Sequence, residues 1–110
     1  MAQIVPKKLG QSAIGTSIST LYTVPASVTT FLKDVEICNT SSTLSTQITV
    51  YLVPSGGSEA AANELIPATL ILPNGMFQWT GAIVMNTGDF IRIIATVAGS
   101  TIYASGGEYQ

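Results

Sequence analysis

Leu44-Ser-Thr-Gln-Ile-Thr-Val-Tyr-Leu-Val53 is the stretch on which the fold is read. Ile48, Val50 and Leu52 share one parity, and Gln47, Thr49, Tyr51 and Val53 share the other. Successive side chains of a strand point to opposite faces, so this alternation predicts a sheet with one face in a core. Pro54-Ser-Gly-Gly-Ser58 then breaks the strand, because proline has no N–H to donate and paired glycines mark a turn.

Toward the N-terminus, Asn39-Thr-Ser-Ser-Thr43 reads as a polar turn. Ser27 to Asn39 before it reads as a long strand, with Phe31, Val35 and Ile37 expected on one face and Leu32, Asp34, Glu36 and Cys38 on the other. Thr20-Leu-Tyr-Thr-Val24 is a short strand stopped by Pro25. Toward the C-terminus, Glu59-Ala-Ala-Ala-Asn-Glu-Leu65 is the one helix-like stretch, with Ser58 as a candidate cap. It is expected to cross from one sheet to the other. Strands are expected over Ala68–Leu72, Met76–Thr80, Ile83–Met85, Asp89–Val97 and Thr101–Ser105. Pro73-Asn-Gly75, Asn86-Thr-Gly-Asp89 and Ala98-Gly-Ser100 separate them as turns, and 106–110 reads as a tail.

The expectation is an all-β chain: an antiparallel β-sandwich of about seven to eight strands, Ig-like or jelly-roll. Strands do not alternate with long helices, which disfavours a parallel α/β sheet. The two cysteines around a tryptophan that mark a true immunoglobulin are absent.

Residues 1–18 differ from the rest, with no sustained period of two or of 3.6. They are expected to form a short N-terminal arm, irregular or added late as an edge strand, ahead of a sandwich domain at 19–110. Such an arm can be a frayed terminus or can reach a neighbouring subunit. The candidate assembly residues are Ile4, Val5, Pro6, Lys7, Lys8 and Leu9.

The chain has 110 residues, the size of one domain. Charged residues make up only 9%, against about 25% in an ordinary soluble domain. Their place is taken by 14 Thr and 11 Ser, and threonine suits a pleated, half-exposed strand surface. Dispersed charge keeps monomers apart, so a surface this neutral suits packing against neighbours. Lys7, Lys8, Lys33 and Arg92 are the only cations. Four scattered charges cannot neutralise a run of phosphates, so no nucleic-acid partner is expected. Residues 1–8 hold no apolar leader segment and no stretch approaches the ~18 apolar residues of a span. Neither secretion nor membrane insertion is expected, and the chain is expected to fold in a cytoplasm.

With no histidine, neither a Ser-His-Asp nor a Cys-His arrangement can form. Asp34 and Glu36 lie two apart on a strand and point to one side, which is the geometry of an acid–base pair. A solvated strand face explains them more simply, and a salt link from Lys33 or Arg92 would also be ordinary there. One cysteine without histidine makes no zinc site, and Cys38 is expected as a small core residue. Asn86-Thr-Gly-Asp89 lacks the further acids of a calcium loop. The glycine pairs at 56–57 and 106–107 lack a phosphate loop's context. No catalytic residue, metal or cofactor is expected. Trp79, Tyr51 and Tyr103 would form a sugar-binding platform only if they lined one open face.

Three segments carry a family pattern: Leu21-Tyr-Thr-Val-Pro-Ala26 running on to Cys38-Asn-Thr40; Val50-Tyr-Leu-Val-Pro-Ser-Gly-Gly57; and Gln78-Trp-Thr-Gly81 followed by Met85-Asn-Thr-Gly-Asp89. In this order they resemble small virion proteins of tailed phages and prophages, over roughly residues 20–107. The resemblance implies a non-enzymatic β-sandwich displayed on the virion, as a head decoration or cement protein or as a tail, neck or baseplate part. It implies a homo-oligomer, a trimer for instance, bound to other phage structural proteins such as the major capsid protein. A module that binds a carbohydrate or receptor for host-surface attachment is the other role such a sandwich would serve.

Overall fold

The computed structural model describes residues 3–110, and residues 1–2 of the expected arm lie outside the described part. Eight strands follow in order: β1 (Ile4–Ile14), β2 (Ser19–Thr23), β3 (Thr29–Asn39), β4 (Thr46–Val53), β5 (Glu64–Ile71), β6 (Met76–Met85), β7 (Phe90–Ala95) and β8 (Ser100–Tyr109). They form two four-stranded antiparallel sheets, sheet A in the order β1-β8-β3-β6 and sheet B in the order β2-β7-β4-β5. First pairs with last, second with seventh, third with sixth and fourth with fifth. That rolled-up order is the jelly roll, and it settles the choice the sequence leaves between jelly roll and Ig-like. Among the described residues no helix is long and apolar enough to cross a membrane.

The core lies between the sheets. Ile48, Val50 and Leu52 pair with Ala95, Ile93 and Ile91 of β7 on the core side, as the alternation predicts. Opposite them Val35, Ile37, Ile102 and Ala104 are buried on sheet A, and Ile37 sits directly across from Ile102. Val53 faces away from this core yet is fully buried, which strand periodicity alone cannot show.

Several local expectations change. The helix expected over 59–65 is a single 3-10 turn, Ala61–Asn63, with no buried residue. A two-turn helix needs a packed face to be stable, and this one has none. It links β4 to β5 within sheet B and does not cross between sheets. The segments 76–80 and 83–85 join as the single strand β6. The expected tail is the second half of β8, and 4–14 is an edge strand paired along its length with β8.

A β-bulge accounts for the largest change in facing. The pairing of β3 with β8 shifts between Leu32 and Asp34, leaving Lys33 as an extra residue. One extra residue inverts the parity beyond it. Thr30 and Leu32 therefore face the core before the bulge, and Val35, Ile37 and Asn39 after it. Phe31 points outward, contrary to expectation, and Leu32 inward. Cys38 is half-buried on the outer face between Met76 and Thr101, so it is not a core residue.

Asn39 closes one end of the sandwich. Its buried amide donates to the carbonyls of Leu44, Ile71 and Leu72 at 2.8, 3.1 and 3.2 Å, and its Oδ1 accepts from Ser41 N–H at 3.1 Å. Removing that amide leaves buried carbonyls without a donor. Asn39→Ala is expected to lower unfolding stability by about 1–3 kcal/mol, read from the shift of the urea midpoint at constant slope.

Candidate assembly interface

Two bulges flank β8. Besides Lys33 on β3, Leu9 is extra on β1, between the pairs Lys8–Ser105 and Gly10–Ala104. It divides β1 into two unequal halves. Leu9 and Ile14 are buried in the core, whereas the backbone positions 4–8 are exposed at the rim. Gly10 is held tight: a Cβ there would lie 2.5 Å from the Leu21 side chain.

The six candidate residues thus separate by face. Ile4 and Pro6 stand on the outer face of sheet A. With Phe31, Lys33, Ala82, Gly106 and Gly107 they line an open trough of about 290 Å³. The glycines make the trough. A Cβ on Gly107 would lie 3.0 Å from Ile4 Cγ2, and one on Gly106 would run into the Phe31 carbonyl. Ile4 is 60% exposed, Tyr109 directly opposite it 45%, and Val84, opposite Phe31, 58%. Val5 is also exposed, while Leu9 is core. The Lys8 ammonium donates to Gln11 Oε1 at 2.7 Å.

Lys7 points the other way, into the end of the sandwich. Its ammonium contacts both oxygens of Glu108 at 3.2 Å. Glu108 is buried, and its Oε2 accepts from Tyr22 Oη at 2.5 Å. Tyr22 Oη lies 2.7 Å from Thr30 Oγ1. The phenol has one proton and gives it to the carboxylate, so the Thr30 hydroxyl donates to the phenol. The Tyr22 hydrogen bond, with Lys7, holds the Glu108 carboxyl below its usual range, against the upward push of burial. Burial, then the bond to Glu108, pushes the Tyr22 phenol up to about 12. This cluster joins β1, β2, β3 and β8, and pins the exposed half of β1. The sequence offers no signal for it, since Glu108 stands among glycines in an apparent tail.

Asp34 and Glu36 do share one side, the outer face of sheet A. Gln78 Nε2 donates to Asp34 Oδ1 at 3.0 Å. Contact with Asp34 pushes the Glu36 carboxyl up. Neither residue lines the trough or the second concavity beside Leu52 and Ile83. Neither carboxylate is salt-linked to Lys33 or Arg92 among the described residues. Arg92 instead pairs with Glu59 at 3.1 Å and lies 5.9 Å from the Phe90 ring centre, on the opposite sheet. Asp89 serves its turn, accepting from the backbone N–H of Asn86 at 2.9 Å and of Ser55 at 3.0 Å. Trp79 pairs with Val35 and packs half-buried against the core, Tyr103 pairs with Glu36 on the outer face of sheet A, and Tyr51 pairs with Arg92 on that of sheet B. The three aromatics therefore do not line one face.

The chain matches no protein-family profile, and no curated protein matches it by sequence. Solved structures share its fold. A chain of infectious bursal disease virus, Gx strain, superposes with a TM-score of 0.55 at 12% identity, covering 98% of this chain and 32% of its own. A subunit of Bacillus endospore appendages, described as a family of disulfide-linked pili, superposes with a TM-score of 0.55 at 13% identity, covering 100% of this chain and 90% of its own. The chain thus spans about a third of the viral chain and nearly all of the pilus chain. At these identities the likeness is one of fold: the class defined is a single jelly roll.

Proposed function

We propose that this chain is a non-enzymatic structural subunit of a tailed-phage particle, a homo-oligomeric decoration or cement protein bound to the head shell. The observation that carries the reading is the apolar rim on the outer face of sheet A, where Ile4, Val84 and Tyr109 are exposed around a glycine-floored trough on a nearly uncharged domain. An apolar rim of this kind marks a contact surface. The resemblance of its segments to phage virion proteins supports the particle, as do jelly-roll neighbours drawn from a virion and an appendage. In this reading Ile4, Val5, Pro6 and Lys8 meet the neighbouring subunit or the major capsid protein, while Lys7 and Leu9 hold the strand in place. Many small contacts repeated over a shell add up through avidity.

A second reading, a subunit of a fibrous appendage, is favoured by one observation: the pilus neighbour matches nearly end to end, so one such domain suffices as a whole subunit.

Cryo-electron microscopy of purified parent phage tests both. Density for this chain repeated over the head supports decoration; density confined to the tail, neck or baseplate replaces it with a tail role; absence from particles refutes the virion reading. Ile4→Asp combined with Tyr109→Ser is expected to weaken binding to heads at least about tenfold. The thermal midpoint should move little, since both side chains are largely exposed.

A further inference from the structure

The two sheets end in four edge strands, β1 and β6 of sheet A and β2 and β5 of sheet B. An exposed edge pairs with other chains unless it is charged, interrupted by proline or kept short. β1 carries Pro6, Lys7 and Lys8. β5 carries Glu64 and Pro67. β2 has five residues. β6 runs ten residues, Met76–Met85, without a charge or a proline, interrupted only by the bulge that sets Gly81 and Ala82 opposite Lys33 of β3. Met76 and Val84 are exposed along it, and Phe77 and Trp79 are half-buried at the margin of the core.

We infer that β6 is a self-association edge, pairing antiparallel with β6 of a second copy about a two-fold axis at Gly81, so that sheet A continues across the dimer as eight strands. Charge selects this occupant. β1 of a neighbour would bring Lys7 and Lys8 against a strand that holds no carboxylate, and β5 would bring Glu64 against one that holds no cation. β2 would cover only half of the edge. β6 against itself brings no charge into the interface.

The register is self-complementary. Residues directly opposite in an antiparallel pair share a face. Although its pairing with β3 shifts between Thr80 and Ile83, β6 keeps Phe77, Trp79, Ile83 and Met85 on one parity. With Gly81 on the axis, Phe77 meets Met85 and Trp79 meets Ile83 on the core side. On the outer side Gln78 meets Val84 and Thr80 meets Ala82. A Cβ on Gly81 would lie 3.0 Å from Trp79 Cζ2, so the glycine lets that ring lie along the strand toward the axis. Two-fold pairing of like surfaces is the commonest closed assembly. The inference goes beyond the particle reading, since a chain absent from virions can still dimerise through β6.

Sedimentation equilibrium of the full chain tests it, together with the emission of Trp79, its one tryptophan. The wild type is expected to show a monomer–dimer equilibrium, with emission moving to shorter wavelength as the dimer forms. Thr80→Lys with Ala82→Lys places lysines directly opposite each other and is expected to raise the dimer Kd at least about tenfold, with an unchanged far-ultraviolet spectrum. Thr80→Glu with Ala82→Glu should do the same, and an equimolar mixture of the two variants should restore dimer. A wild type that stays monomeric, variants that dimerise as well as wild type, a mixture that does not recover, or open-ended growth with concentration would each overturn the inference. If the charged variants do not fold, amide exchange of the wild type decides: protection over 80–84 that rises with protein concentration supports the pairing, and concentration-independent exchange refutes it.

Discussion

Gly106→Ala is expected to destabilise the chain by at least about 3 kcal/mol, the upper end of overpacking costs and a large fraction of a small domain's stability. The added Cβ would overlap the carbonyl oxygen of Phe31 and lie 3.0 Å from its carbonyl carbon. Both obstacles are backbone, so no rotamer change relieves them. β8 would have to move away from β3 next to the Lys33 bulge, breaking ladder hydrogen bonds at the centre of sheet A. It would also lift the floor of the trough against Ile4 and Pro6. Gly15→Ala is the control, because its nearest contact would be Ser17 N at 4.0 Å; it should change stability by no more than about 0.5 kcal/mol. Equilibrium urea unfolding of both variants checks the contrast, and equal midpoints would show that the close approach at residue 106 is not a real constraint.

Tyr22→Phe is expected to cost about 1.5–3 kcal/mol near neutral pH, because it removes a hydrogen bond to a buried carboxylate and leaves Glu108 with Lys7 alone. The pH dependence follows from the two shifted groups. Glu108 has its pKa lowered in the folded chain, so its contribution is present above the ordinary carboxylate range and is lost as pH falls through the folded value. Tyr22 has its pKa raised to about 12, so its contribution is present below the ordinary phenol value of 10.0 and is lost as pH rises from there to about 12. The wild-type stability profile should therefore fall at both ends. In Tyr22→Phe the alkaline fall from this group should vanish and the acid fall should flatten. An unchanged alkaline limb would mean that the phenol is not held by this cluster. Because Lys7 is the link from β1, the same acid limb should be accompanied by faster amide exchange at 4–8 than at 10–14.

The sequence by itself determined what is local. The alternation of Ile48, Val50 and Leu52, the break at Pro54 and the glycine pair after it, and the turns at Pro73-Asn-Gly75 and Asn86–Asp89 rest on backbone chemistry within a few residues. They were enough for a sandwich of short antiparallel strands and for its inner strand faces on sheet B. The absence of histidine and the scarcity of charge likewise bounded the chemistry without any fold. Only the tertiary structure decided the rest. Whether 4–14 forms a strand depends on a partner about a hundred residues away, as the pairing of Ile4 with Tyr109 shows. The rolled-up strand order, the Lys33 bulge that turns Phe31 outward and Leu32 inward, the burial of Glu108 beneath Tyr22 and Lys7, and the trough over Gly106 and Gly107 are all properties of strands meeting across the sheet. A bulge costs nothing that composition or periodicity records, because its gain comes from how two ladders fit β8 at once. For that reason the strands could be read along the chain, while the surface by which this jelly roll meets other molecules could not.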